Sequence, residues 1–269
     1  MKICSVTIWY NPDEVCANNI HTYNTFVEKC YIIDNSISDN SALISDIPNA
    51  IYISNKENLG IAKALNIGCS KAVEDGFEWC LTMDQDSSWD KVNLQKYIEY
   101  VINNISNKNV SFAPNYINET TKTEILNINR CISSGNIIKL DIWQKIGMFY
   151  EPFFIDEVDY EFCYRLKENN YDIIQFQDVH MNHNLGDNKK HFFPMLCHSG
   201  VRLYYMYRNS LYEKEMHPSF YRINNYASWL RYFSMRIIIE GVARLKFQNI
   251  YFLIKAKKDF TQKKKGKIK

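Results

Sequence analysis

The chain has eight cysteines but no CxxC pair among them. This removes the thiolate spacing of structural zinc sites and thioredoxin-like redox sites, and no disulfide framework is suggested. Several cysteines lie inside apolar runs, so they read as small buried hydrophobes in a reducing compartment. Uninterrupted apolar runs of about 18 residues are missing, which argues against a spanning helix. The start, Met1-Lys-Ile-Cys-Ser-Val6, enters a strand-like run at once and lacks the regions of a signal peptide. Together these absences predict a cytoplasmic location. Acidic residues are scarce late in the chain. From Arg202 onward there are 16 Lys+Arg against 4 Asp+Glu, a net of +12, which leaves −10 for the preceding part of a chain of formal charge +2. Such asymmetry suggests that the last quarter meets an anionic partner.

An apolar content of 46% over 269 residues is ample for one large domain, or for a domain with an appendage. Ile3–Tyr10 reads as a strand stopped by Asn11-Pro12-Asp13, with a helix over residues 14–28. Tyr31–Ile33 and Ala50–Ser54 are further strands. Ile61, Leu65, Cys69 and Ala72 share one helical face, and Gly76 closes that helix before the Trp79–Met83 strand. This alternation predicts a mostly parallel sheet covered by helices. Polar residues gather where the strands end: Asn11, Asp34-Asn35, Asn58, and Asp84 with Asp86. Ligand crevices of open α/β sheets lie at that edge.

Farther on, a helix is expected from Leu94 to Ile105, strands at Val110–Tyr116, Arg130–Ile138 and Asp172–Phe176, and a loop or short hairpin over residues 117–129. Asp141 can cap a short helix that ends at Gly147.

Asp84-Gln85-Asp86 sets two carboxylates one residue apart after a buried strand, an arrangement able to hold a divalent cation that keeps sites open for phosphate oxygens. Asp-x-Asp alone is common and equally suits a surface turn. Val158, Phe162 and Leu166 define a helix face preceded by Asp156, Glu157 and Asp159. Asp156 suits an N-cap with Asp159 three residues on, and a carboxylate there equally suits a general base. His183, beside Gly186 and Asp187, is a candidate for metal or phosphate.

In order and spacing, Val6–Asn11, Ile33–Ser36, Asn58–Gly68, Asp84–Asp86, Ser134-Gly135 and Phe153–Arg165 resemble the nucleotide-sugar-dependent glycosyltransferases of family 2, over roughly residues 1–210. Asp84-Gln-Asp86, His183–Asp187 and Tyr204–Asn209 are most similar to the bacterial rhamnosyltransferase branch. The resemblance implies a GT-A (Rossmann-like) fold for residues 1–210, followed by a helical extension over 211–269. It implies Mn²⁺ or Mg²⁺ held by Asp86, with Asp84 and His183. It places Asp34 at the donor base, Asn58 and Gly60 near the nucleoside, Asn11 on the nucleotide-sugar donor, Asp84 also by the ribose, and Arg208 on the diphosphate. Asp159 falls where the family carries its catalytic base. Many relatives have Glu-Asp there and this chain has Val158-Asp159, with Asp156 and Glu157 as near alternatives. The implied reaction is inverting transfer from a nucleotide diphosphate, with dTDP-L-rhamnose first and a UDP-hexose second. The implied acceptor is a saccharide, typically lipid-linked, in bacterial surface polysaccharide synthesis.

Residues 220–254 interleave aromatic and aliphatic residues with Arg222, Arg231, Arg236, Arg244 and Lys246, and Lys255–Lys269 holds eight Lys and one Asp. This reads as amphipathic helices and a basic tail lying on an anionic membrane surface, or else as aromatics packed on the catalytic part or on a second copy in a homo-oligomer, with a solvated Lys tail. Nucleic-acid binding is the rival from another class. It is disfavoured because the tail lacks a recognition motif and the acidic body would repel phosphates. A non-catalytic carbohydrate-binding protein is a third reading, disfavoured by carboxylates at both the metal and base positions.

Overall fold

The computed structural model describes residues 1–116, 123–183, 198–221, 223–240 and 246–268. The 117–122 part of the expected loop, the Asn184–Asp187 part of the histidine motif, Cys197, Arg222, Val242, Arg244, Leu245 and Lys269 lie outside the described residues.

Strands β1 (Ile3–Trp9), β2 (Cys30–Asp34), β3 (Ala50–Ser54) and β4 (Trp79–Asp84) form the parallel half of one sheet. Its other half contains β6 (Asn109–Asn115), β7 (Ile125–Ile128), β8 (Asn136–Lys139) and β9 (Asp172–His180), and the order is β3-β2-β1-β4-β8-β6-β9-β7. β8 runs antiparallel between β4 and β6, while β6 and β9 are parallel. Every residue of β1 and β2 is buried, as a sheet covered on both faces requires, which is why these strands are nearly continuous apolar runs. A separate ribbon pairs β5 (Ser87–Ser88) with β10 (Asn182–His183).

Helix α1 (Glu14–His21) is capped by Asp13, whose carboxylate accepts from the Cys16 N–H. It is shorter than expected, because the chain tightens into a 3-10 turn at Asn24–Phe26. α2 (Ile61–Glu74) and α3 (Lys91–Asn104) cover the sheet, α3 starting at an Asp90 cap. Gly68 presses α2 onto the strands: a Cβ there would lie 2.4 Å from Val6 Cγ1. Gly68→Ala should therefore cost about 1–3 kcal/mol through overpacking, read by denaturant unfolding. A melt equal to that of the wild type would show that β1 and α2 separate freely.

Helices α4 (Leu140–Lys145) and α5 (Val158–Glu168) precede α6 (Gly200–Met216), α7 (Ile223–Ile238) and α8 (Phe247–Thr261). The expected boundary at residue 210 falls inside α6, which continues unbroken to Met216. α8 packs along α6, and the chain after it returns to the body of the protein. Arg208 donates to the Gly266 carbonyl (2.7 Å), the Gly266 N–H to that of Pro152 (2.7 Å), and the Ile268 N–H to Tyr205 Oη (2.7 Å). Lys265 Nζ reaches Tyr150 Oη at 2.6 Å, and Lys267 Nζ reaches the Asn58 carbonyl at 3.3 Å. The basic tail is thus docked on the catalytic part. The seven described cysteines are free and buried. Among the described residues no helix is long and apolar enough to cross a membrane.

Candidate active site

β4 ends at Asp84, and the turn that follows carries Asp86 into the β5–β10 ribbon. The ribbon register sets His183 opposite Ser87, which brings the imidazole to the two carboxylates. Ligand-type atoms of Asp84, Asp86 and His183 lie within 4.8 Å of one another. A polar chain braces the group. The Asp84 N–H donates to Ser134 Oγ (3.1 Å), Ser134 Oγ meets Ser87 Oγ (2.7 Å), and Ser87 Oγ meets His183 Nδ1 (2.6 Å). An imidazole oriented through one nitrogen is the usual supporting arrangement for a metal-binding histidine.

The electrostatics fit a cation. Burial, then the charges of Asp86 and Asp159, push the Asp84 carboxyl up to about 7. Desolvation lowers the His183 pKa, which favours the neutral, ligating imidazole. Two hard carboxylate oxygens and one imidazole nitrogen suit Mn²⁺ or Mg²⁺ better than a thiophilic ion. These residues therefore fit a divalent cation.

Asp159 sits in the first turn of α5. Its Oδ2 accepts from the Ser133 N–H (3.3 Å) and its Oδ1 from the Tyr160 N–H (3.0 Å). Burial raises its pKa, while these N–H groups and the Arg130 guanidinium act the other way. The carboxylate is near enough to Asp84 to raise that residue's pKa. The expected capping by Asp156 does not occur. Glu157 occupies the N-cap in a left-handed conformation, without a capping side chain. Asp156 instead pairs with Arg202 Nε at 3.1 Å, and burial pushes its pKa up to about 6 despite that partner. Burial also drives the Glu157 carboxyl well up, with Glu213, Asp159 and Asp156 adding to it.

Phe154, Asp156 and Glu157 all have positive φ, at 70°, 60° and 64°. Each such non-glycine residue costs on the order of 1–3 kcal/mol and persists only where its surroundings enforce it. Asn209 supplies that enforcement: its Nδ2 donates to the carbonyls of Phe153, Ile155 and Asp156 at 2.9, 2.8 and 3.0 Å. Arg208 joins it. Its guanidinium is 1% exposed, lies near the Tyr204 and Tyr205 rings, and donates to Phe153 and Gly266 carbonyls. The structure does not bring Arg208 to the Asp84–Asp86–His183 group. It makes Arg208 a clamp between the acidic segment and the docked tail.

Among the described residues, the cation that acts on the Asp84–Asp86–His183 group is Arg202, which the sequence reading did not single out. It lowers the pKa values of Asp84 and His183 as well as pairing with Asp156. Its one sequence signal is a basic residue in the first turn of a helix, where the helix dipole disfavours it.

The residues expected at the nucleotide-sugar donor lie at neighbouring strand ends. Asn11 has φ of 48° and its N–H donates to Ser36 Oγ (2.7 Å). Asn58 Oδ1 accepts from the Gly60 N–H (2.9 Å), and Gly60 has φ of 86° with Phe154 packed over it. Asp34 is fully buried. Its carboxylate accepts from the Ser36 N–H, Asn40 Nδ2 and Tyr52 Oη at 2.8, 2.7 and 2.7 Å, so it holds the 36–40 turn and has no open face toward the crevice.

With this geometry established, residues 13–156, more than half of the chain, match the model of the family described as glycosyl transferase family 2. The chain belongs to glycosyltransferase family 2. It is an enzyme of that family, with a GT-A fold. It is 29% identical, over 78% of each chain, to the dTDP-rhamnosyl transferase RfbF of Shigella flexneri. A structure of S. aureus TarS residues 1–349 with UDP-GlcNAc shares the fold at a TM-score of 0.65 and 15% identity, covering 97% of this chain and 81% of that one. GalNAc-T7 with UDP, GalNAc and Mn²⁺ matches at a TM-score of 0.58 and 11% identity, covering 77% of this chain and 47% of that one. The expected family and fold are both met, and nucleotide-sugar glycosyl transfer follows from the family.

Proposed function

We propose that this glycosyltransferase moves L-rhamnose from dTDP-L-rhamnose to a saccharide hydroxyl, with inversion, using a divalent cation at Asp84, Asp86 and His183 and using Asp159 as the base. The observation that carries this reading is the meeting of the Asp84–Asp86–His183 group with a further, half-buried carboxylate, Asp159, at one sheet edge. When bound there, Mn²⁺ or Mg²⁺ supplies Lewis-acid neutralisation of the donor diphosphate. Asp86 is its principal ligand. Arg202 adds a guanidinium on the same side and binds a diphosphate oxygen, a task for which its planar fork suits it. Asn11, Asn58 and Gly60 border the nucleoside, and Asp34 acts there by fixing the turn beneath the base. Asp159 takes the proton of the acceptor hydroxyl on the face opposite the leaving diphosphate. One displacement through an oxocarbenium-like state inverts the anomeric carbon without a covalent enzyme intermediate.

The likeness to the dTDP-rhamnosyl transferase favours dTDP-rhamnose as donor. The UDP-bound solved structures support a UDP-hexose as the second reading. Thermal shift with Mn²⁺ and a panel of nucleotide sugars separates them. A ligand at about a hundred times its Kd stabilises the fold by about 2.7 kcal/mol. The largest rise in Tm is expected with dTDP-rhamnose, and a larger rise with a UDP-hexose would replace the donor.

The acceptor, in this reading, is lipid-linked and met at the cytoplasmic face of a membrane. Phe247, Tyr251 and Ile254 share one face of α8 and are 67%, 60% and 64% exposed, and Lys257 and Lys258 follow on the same helix. An exposed apolar stripe beside basic residues suits an anionic interface. Replacing all three by Asp in the full chain should lower sedimentation with anionic vesicles at least tenfold. Equal sedimentation of the variant and the wild type would remove the membrane from the reading.

A further inference from the structure

Beside Asp159 the chain encloses a cavity of about 660 Å³, lined by Arg130, Glu157, Tyr160, Tyr221, Trp229 and Tyr232 among others. Its size lies within the roughly 300–1,000 Å³ of small-molecule pockets. Its walls come from the β7–β8 connection, α5, α6, the 218–221 turn and α7, so the C-terminal helices complete a chamber that the catalytic sheet only begins.

The lining has two chemistries. The aromatic part is held rigidly. Tyr164 stacks on Phe220 with centroids 4.3 Å apart, Trp229 packs on Tyr207 and Phe233, and its indole N–H donates to Ser210 Oγ at 3.1 Å. The polar part is the Arg130 guanidinium, 4.6 Å from the Tyr160 ring centroid, and the Glu157 carboxyl. A pyranose has the complementary make-up: an apolar face of ring C–H groups and a rim of hydroxyls that both donate and accept. Rigid aromatic walls bury such a face at low entropic cost, and a guanidinium with a carboxyl can bond neighbouring hydroxyls.

We infer that this cavity is the seat of the acceptor, receiving a pyranose ring of the saccharide against Trp229 and Tyr232, with Arg130 and Glu157 on its hydroxyls. The inference rests on the transfer reading above, in which Asp159 deprotonates an acceptor. Asp159 lies in the same first turn of α5 as Tyr160 of the cavity wall. Glu157 thereby acquires a task distinct from that of Asp159: it positions the acceptor and does not take its proton. The wholly apolar competitor, an acyl chain, would cover the Arg130 guanidinium and the Glu157 carboxyl while offering them no hydrogen-bonding group in place of water, which is costly.

Methyl glycosides of rhamnose, glucose, galactose and N-acetylglucosamine carry no lipid and serve as probes, read by saturation-transfer NMR on the full chain with dTDP and Mg²⁺. At least one should receive saturation on its ring protons. Trp229→Ala and Arg130→Gln should each lower that signal at least fivefold, and Trp229→Phe should restore most of it. Titration of dTDP into each variant reports a folded donor site separately. No glycoside binding by the wild type, or binding indifferent to both substitutions, overturns the pocket assignment. Glycoside binding that follows the substitutions, in a protein that releases nucleotide from no donor of the panel, would keep the pocket and overturn the transfer reading.

Discussion

Asp159→Asn should abolish sugar transfer, lowering kcat at least about a thousandfold, while dTDP and its metal bind within about twofold of the wild type. General-base catalysis is commonly worth 10²- to 10⁴-fold. The amide keeps the side chain's shape. Its oxygen can still accept from the Ser133 or Tyr160 N–H, so the loss reports on the proton and not on folding. Burial raises the Asp159 pKa, which makes the carboxylate a better base, while the backbone N–H groups of Tyr160 and Ser133 and the Arg130 charge act the other way. The two neighbouring acids provide the control. Asp156 is tied to Arg202, and Glu157 faces the aromatic cavity and is driven toward its neutral form by burial and by Glu213. Asp156→Asn and Glu157→Gln should therefore retain measurable turnover. If Asp159→Asn turns over at a tenth of the wild-type rate or faster and Glu157→Gln is inert, the base is Glu157.

The strands that frame this chemistry were legible because a sheet covered on both faces demands apolar runs, and Ile3–Trp9 and Trp79–Met83 are such runs. The carboxylates at their ends were legible because polar residues recur where successive strands stop, the edge at which open α/β sheets bind ligands. Legibility failed wherever long-range contact decides the structure. Ser87–Ser88 and Asn182–His183 are polar two-residue strands with no periodicity, yet their pairing delivers His183 to Asp86. Arg202 sits more than a hundred residues from Asp84, and only α6 packing sets it there. The family resemblance placed Arg208, in the Tyr204–Asn209 segment, on the diphosphate. In the fold the aromatics of that segment are its own neighbours, and three positive-φ residues need the carbonyl clamp that it forms with Asn209. By composition the Lys-rich tail reads as membrane-bound or solvated, but Gly266 and Ile268 fix its backbone through Pro152 and Tyr205. β7, inside a segment that reads as polar loop or hairpin, forms because β9 offers it an edge.

Asp86→Ala should weaken metal-dependent nucleotide binding at least about a hundredfold and leave metal-independent stability close to that of the wild type. Loss of an outer-shell partner already costs 10- to 100-fold in metal affinity, and loss of a direct ligand lies at or beyond the upper end. The side chain of Asp86 is 48% exposed and its nearest ionic partner is His183 at 3.7 Å, so alanine there removes little packing. Asp84 contrasts with it. Its half-buried carboxyl feels the charges of both Asp86 and Asp159, so replacing Asp84 relieves repulsion and removes a candidate ligand at once, and the two effects oppose each other when stability is measured with metal present. Asp86 is thus the cleaner probe. Isothermal titration of dTDP with Mn²⁺, with Mg²⁺ and with EDTA should show affinity that follows the metal in the wild type and no longer does so in Asp86→Ala. Ser87→Ala should fall between them, because it removes the hydroxyl that orients His183 and leaves all three candidate ligands in place. Titrations of Asp86→Ala that match the wild type in both metals would exclude the Asp-Gln-Asp turn as the metal site. Electrostatic support for the diphosphate would then fall to Arg202, and Arg202→Ala would become the variant that fails to bind nucleotide.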